Sequence, residues 1–266
     1  MRTYKILLSL CILLAACVTA YVSFMYVYTD HMFAPISLVV KPDMTATAHP
    51  EWPAPLVPFI HKVNTPSRAQ QKDKKYGGFE VDVMAYNGQL LAAHDPTEIA
   101  RQVTLDDIFK TVKNPQEKVW WLDVKGELSD KEIDTILQIA QAYQIPQNHI
   151  LFEASAGDTA KRITQKNLGL LLALPDGFDQ DANDPATRTQ LNENLLSLWQ
   201  QYQPMAVSAS FGKYAFLQAY FPNTPKAIYY SATQRPSIKK FFMRRHMAQD
   251  PSVKIFMTDE YDWINL

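Results

Sequence analysis

The sequence predicts an α/β protein, a (β/α)8 TIM barrel preceded by an N-terminal membrane-anchor helix. Three observations lead there. Eight short apolar runs recur between residues 56 and 258, amphipathic stretches separate them, and an uncharged run of helical length precedes them all. Alternation of strand and helix signals indicates a parallel sheet covered by helices, and roughly 210 residues suit one barrel.

The first element is residues 1–28. Arg2 and Lys5 precede the uncharged run Ile6–Tyr28, which as a helix would span roughly 34 Å against a bilayer core of about 30 Å. Basic residues ahead of the run keep the amino end in the cytoplasm and send the rest across. Three fates fit. The run is longer than the h-region of about 7–15 residues in a cleaved signal, which favours a retained signal anchor. Leu14-Ala15-Ala16-Cys17 resembles a lipobox, with Cys17 as the lipidated residue of a lipoprotein. Cleavage after Ala20 would release a soluble domain. All three export the domain, and the anchor places it on the periplasmic or extracellular side of a bacterial inner membrane. Residues 29–55 read as a linker, because Met44–Pro55 sets Pro50, Pro53 and Pro55 among small residues with no helical or strand period.

The barrel domain is expected over residues 56–266. Its strands are expected at Leu56–His61, Phe79–Ala85, Val119–Val124, Ile150–Ala154, Gly169–Leu174, Ala206–Ala209, Lys226–Ser231 and Val253–Thr258. Most are continuously apolar, as strands covered on both faces must be. Helices are expected at Pro66–Lys75, Leu105–Val112, Asp130–Tyr143, Asp158–Gln165, Pro185–Tyr202, Tyr214–Phe221 and Ser237–Ala248. In the third of these, Ile133, Ile136, Leu137, Ala140 and Tyr143 form one buried stripe. A doubly wound open sheet is the alternative, but no glycine-rich phosphate loop follows the first strand.

Composition narrows the function. A net charge of −1 over 266 residues lacks the basic excess of nucleic-acid binders, so none is expected as a partner. Both cysteines, Cys11 and Cys17, precede the domain. Any metal within it must be held by carboxylates and histidines.

Catalytic groups of a TIM barrel lie at the carboxyl ends of its strands. His61 ends the first strand there, and Glu80 and Asp82, two apart, share a face of the second. His94 follows the Asn87-Gly88 turn and the short run Leu90–Ala93. Asp123 and Lys125 share a face at the end of the third strand, and Glu153 ends the fourth. Each alone has an ordinary explanation: a hydrogen-bonded strand-end histidine, an acidic edge stripe, a surface ion pair. Together they are harder to explain that way. Three carboxylates buried side by side cost several kcal/mol unless a cation compensates, and oxygen ligands suit Mg²⁺ or Ca²⁺. Two histidines beside them supply an acid and a base for displacement at phosphorus.

These residues also carry a resemblance. His61-Lys62-Val63-Asn64, Phe79-Glu80-Val81-Asp82-Val83, His94-Asp95, Leu122-Asp123-Val124-Lys125-Gly126 and Met257-Thr258-Asp259 occur in that order. The set resembles the PLC-like phosphodiesterase superfamily, in its glycerophosphodiester phosphodiesterase and sphingomyelinase D branches. The resemblance implies that His61 and His94 are the acid/base pair and that Lys125 contacts the phosphate. It also implies that Glu80, Asp82 and Asp123 bind one divalent cation. Asn64, Lys62 and Glu153 are the candidates for substrate or supporting contacts. The chain departs from the glycerophosphodiesterase pattern at Lys62, where that branch has arginine, and at Asp123, where it has glutamate. It also lacks the cysteine-bearing loop of the animal sphingomyelinase D branch, so the branch stays open.

The expected function is a metal-dependent phosphoric diester hydrolase or lyase acting on a phospholipid or glycerophosphodiester-like substrate, with the anchor holding it near membrane lipid. The alternative is a non-catalytic exported barrel that binds a phosphorylated ligand or a partner protein. A glycosidase using Glu80 and Glu153 would leave the histidines without a role. Trp120 and Trp121 are expected to pack on opposite faces of their strand. Lys239, Lys240, Arg244 and Arg245, with Phe241 and Phe242, form a basic amphipathic helix, solvated or resting on anionic lipid. Tyr229 and Tyr230 can reach the pocket, but nothing in the sequence selects either.

Overall fold

Eight parallel strands close on themselves in the computed structural model, which describes residues 2–32, 51–53, 58–175, 185–230 and 238–258. The strands are β1 (Phe59–Ile60), β2 (Gly78–Tyr86), β3 (Gln89–Ala92), β4 (Val119–Val124), β5 (Ile150–Ala154), β6 (Gly169–Ala173), β7 (Ala206–Ser210), β8 (Lys226–Tyr230) and β9 (Val253–Thr258). β1 pairs in parallel with both β9 and β2, which closes the ring. β3 alone lies outside it, folded back antiparallel on the far half of β2. The Asn87-Gly88 turn allows that hairpin, with φ of 48° and 77°, the positive values a two-residue hairpin loop demands.

The helices are α1 (Arg2–Met32), α2 (Pro66–Lys72), α3 (Leu105–Thr111), α4 (Asp130–Ala142), α5 (Asp158–Gln165), α6 (Pro185–Tyr202), α7 (Tyr214–Tyr220) and α8 (Ile238–Gln249). The expected barrel is therefore present, with eight strands and seven covering helices among the described residues. The differences are local. α1 continues to Met32 instead of ending at Tyr28, and α2 stops three residues before Lys75. β1 is only two residues long, and β3 occupies the segment from which only a short apolar run was expected. Most of the linker (33–50 and 54–55), the start of the expected first strand (Leu56, Val57), Ser231, Ser237 and Asp259 lie outside the described residues.

Local signals start and stop the helices. Thr65 accepts the Arg68 N–H ahead of Pro66, and capping boxes from Thr104 and Ser129 open α3 and α4. Asn167, at φ 54°, follows α5 in the left-handed conformation that ends helices.

Side-chain parity then divides each strand. Outward residues such as Ile60, Phe79, Val81, Trp120, Leu122 and Phe152 pack under the helices. Inward residues such as Phe59, Trp121, Leu151, Leu171, Ala227 and Met257 fill the barrel. The two tryptophans do part as expected: Trp120 lies against Phe79 and Phe109, Trp121 inside. Phe59 has room because its neighbour is Gly78, where a Cβ would come within 2.5 Å of the Phe59 ring. Each large side chain in this floor contributes about 1.5–3 kcal/mol by leaving water. Further toward the strand ends the inward positions of β2, β4 and β5 turn acidic, and there the site begins.

Candidate active site

The register of β2 and β4 makes the acidic cluster. Asp82 lies directly opposite Asp123, and Glu80 shares Asp82's inward face two residues earlier. One oxygen from each of the three lies within 4.8 Å of the others. Glu80 and Asp82 are fully buried, while Asp123 is partly exposed toward the mouth.

Backbone and side-chain donors hold the cluster in place. Asn64 donates from Nδ2 to Asp82 Oδ2 (2.6 Å), and its Oδ1 accepts the Asp82 N–H (3.0 Å). The Lys62 N–H donates to Glu80 Oε2, from a backbone at φ 57° that costs a non-glycine residue about 1–3 kcal/mol. The Lys62 side chain itself is exposed. Lys125 Nζ lies 2.6 Å from Asp123 Oδ2 and 3.1 Å from Asp82 Oδ1. Gly126 follows at φ 100°, which lets the chain turn away immediately after that lysine.

One ammonium does not balance three carboxylates. Burial, then repulsion from Asp82 and Asp123, holds the Glu80 carboxyl well above the ordinary glutamate range, against the Lys62 N–H. Burial also raises Asp123, although Lys125 opposes it. For Lys125, burial would lower the pKa, but Asp123 and Asp82 outweigh it and hold the ammonium above its ordinary value. Glu80 Oε1 is buried and accepts no hydrogen bond, and Asp82 Oδ1 has only its ion pair with Lys125 at 3.1 Å. A buried oxygen left without a donor is rare in folded proteins and calls for a missing partner. The three carboxylates fit a hard divalent cation by both donor type and count.

Both histidines stand at the rim of this cluster. The His61 N–H donates to the Thr258 carbonyl at the end of β9, and its own carbonyl accepts from Arg68 Nη2. Its Nε2 lies 3.8 Å from Glu80 Oε2, and its ring stacks on Tyr229 with centroids 6.5 Å apart. His94 arrives by another route. The Ala93 N–H donates to the Asp82 carbonyl (3.2 Å), placing the next residue beside the acids. There the His94 charge lowers the Asp123 pKa, and the ring is 43% exposed, open to proton exchange with solvent. The neighbouring Asp95 caps the turn at Pro96–Arg101, and hydrogen bonds from Thr97 lower its pKa.

Glu153 lies opposite Asp123 on β5 but belongs to the interior. Trp121 Nε1 and Ser208 Oγ donate to its two oxygens at 2.8 and 2.7 Å. Burial, then Asp123, pushes its carboxyl up to about 8 against those donors. Asn64 is likewise committed to Asp82. Of the three residues expected to make substrate or supporting contacts, Asn64 and Glu153 are therefore supports, and Lys62 is the one with its side chain in solvent. Sequence reading missed Arg68 and Ser208 and left Tyr229 unselected. Strand parity points to two of them, because Ser208 and Tyr229 hold inward positions on β7 and β8.

No family model matches the sequence, and no curated protein sequence matches it. Among solved structures, a glycerophosphodiester phosphodiesterase from Parabacteroides distasonis is similar with a TM-score of 0.50 at 9% identity. The match covers 77% of this chain and 92% of that one. At that identity the likeness is one of fold, and the closed parallel ring of eight strands makes that fold a TIM barrel.

Proposed function

We propose that the chain is a metal-dependent phosphodiesterase, acting on a phospholipid or glycerophosphodiester-like substrate by two-histidine acid/base catalysis. The observation that carries this reading is the convergence of Glu80, Asp82 and Asp123, with a buried Glu80 oxygen that accepts no hydrogen bond and one lysine to offset three carboxylates. The fold likeness to a phosphodiesterase supports it.

Glu80, Asp82 and Asp123 would hold one Mg²⁺ or Ca²⁺, which when bound supplies positive charge to the non-bridging phosphate oxygens. Of His61 and His94, one takes the proton of the attacking hydroxyl or water and the other returns one to the leaving alkoxide. Lys125 adds charge at the phosphate with the ammonium donor that its two carboxylates leave over. Lys62 extends the cationic rim as a point charge and cannot form the paired contact of an arginine. Asn64 acts through Asp82, and Glu153 through Trp121 and the packing of the barrel interior.

The same reading assigns 1–28 to a membrane anchor, 29–55 to a linker and 56–266 to the exported barrel. Ile6–Val27 is apolar and long enough to cross a bilayer, and its basic amino end favours the cytoplasmic side. Such an anchor keeps the site near lipid-derived substrate.

The test is a panel of phosphodiesters, including bis-p-nitrophenyl phosphate, lysophospholipids and glycerophosphodiesters, assayed with Mg²⁺, with Ca²⁺ and with EDTA. Turnover that EDTA abolishes and metal restores is the expected result. Ligand binding without turnover, indifferent to EDTA, would identify a binding barrel instead. A supporting prediction concerns Asn64→Ala. Losing both contacts to Asp82 is expected to weaken metal affinity about 10–100-fold and to cost about 1–3 kcal/mol of stability. Calorimetric metal titration and denaturant unfolding measure the two effects.

A further inference from the structure

The carboxyl-terminal end of α1 packs on α8 of the barrel. Met25 is buried there, while Phe24, Tyr26 and Val27 are 62%, 44% and 66% exposed. The Arg245 guanidinium lies 6.0 Å from the centre of the Tyr26 ring, a cation–π contact. The apolar run Ile6–Val27 therefore ends against α8. If that run crosses a bilayer, its last residues lie at headgroup level, where tyrosine and arginine commonly anchor. α8 is then held at the same level.

The charge of α8 matches that position. Its sequence IKKFFMRRHMAQ contains Lys239, Lys240, Arg244, Arg245 and His246 and no acidic residue, although the whole chain carries a net charge of −1. Packing engages two of these groups: Arg244 lies 6.0 and 5.8 Å from the ring centres of Tyr230 and Phe256, and the His246 ring lies 6.2 Å from that of Tyr214. Arg245 is exposed except for its contact with Tyr26. A run of cations beside the end of an apolar span is complementary to one surface above others, the phosphate layer of an anionic bilayer.

Resting on the reading of α1 as an anchor, we propose that α8 is a docking surface for anionic lipid headgroups and seats the barrel side-on against the membrane that holds α1. The topology gives this seat a consequence for the site. α8 follows β8, so its first turn starts at the mouth end of the barrel, beside the strand that carries Tyr229 against His61. Side-on docking through α8 brings one flank of the barrel toward the lipid, and with it the part of the mouth rim where α8 begins.

The test uses the full chain in nanodiscs of phosphatidylcholine alone or with roughly one-third phosphatidylglycerol, read by hydrogen–deuterium exchange. Residues 238–249 are expected to exchange about tenfold more slowly in the anionic discs, and high salt should remove the difference. The double variant Lys239→Gln/Lys240→Gln, which leaves the Arg245–Tyr26 contact in place, should remove it too. Protected Ile6–Val27 with α8 exchange indifferent to lipid charge would overturn this proposal and leave the anchor reading standing. Unprotected Ile6–Val27 would overturn both.

Discussion

Replacing Glu80 by glutamine is expected to stabilise the metal-free protein while abolishing its response to a divalent cation. The two effects have opposite signs because they come from the same buried charge. Without metal, Glu80 is held among Asp82 and Asp123 with its pKa raised, chiefly by burial, and one oxygen accepts no hydrogen bond. A raised folded-state pKa means that the fold favours the protonated carboxyl. Its stability is complete below the unfolded value near pH 4.5 and is lost as pH rises toward the folded value. Glutamine does not ionise and can still accept the Lys62 N–H. In EDTA at pH 8, Glu80→Gln should therefore melt about 3–8 °C above the parent, equivalent to about 1–3 kcal/mol for a domain of this size. The gap should close toward pH 5, where the parent carboxyl is protonated. Glu153, pushed up to about 8, repels the Glu80 carboxylate, so the loss of the Glu80 charge eases its ionisation and adds to the variant's advantage at pH 8. With Mg²⁺ or Ca²⁺ in excess the order should reverse, because the parent gains binding energy and the variant does not. Melting curves at two pH values, with and without metal, measure all of this. A variant that the cation stabilises as much as the parent would remove Glu80 from the metal site.

The acids were legible in the sequence because strand parity is a strict period of two. Glu-Val-Asp on one strand and Asp-Val-Lys on the next could only share faces, and the parallel register sets Asp82 opposite Asp123. The barrel was legible for the same reason: each continuous apolar run needs cover on both sides, and seven amphipathic helices supply it. Other features depend on contacts between distant residues, and no local pattern encodes those. Asn64 reads as a substrate or supporting contact, and no local pattern says that its amide is committed to Asp82. Glu153 reads as a pocket acid because it ends a strand beside Asp123. The structure joins it to Trp121 on the adjacent strand, 32 residues earlier, and to Ser208 on β7, 55 residues later. β3 was missed because Gln89–Ala92 is too short to show a period, so only the turn before it was visible. The packing of α1 on α8 joins residues more than 200 apart, and neither helix signals it locally.

Replacing His61 by alanine is expected to lower turnover about 10²–10⁴-fold, the range for losing a general acid or base. The loss should fall on kcat, with KM and metal affinity changed little, because His61 does not hold the cluster. Its ring lies 3.8 Å from Glu80 Oε2, beyond a hydrogen bond, while Lys62 N–H holds that same oxygen. Stability should also change modestly, since the backbone contacts to Thr258 and Arg68 use His61's N–H and C=O and survive truncation. A structural role predicts a different pattern, in which metal response, melting temperature and activity fall together. The pH–rate profile separates the two further, because removing an acid/base group deletes one limb of a bell-shaped curve, whereas loosening the site lowers the whole curve. Parallel loss of the other limb in His94→Ala would assign the second proton transfer to the partly exposed ring. Full activity in His61→Ala would break the two-histidine mechanism, whatever the metal site does.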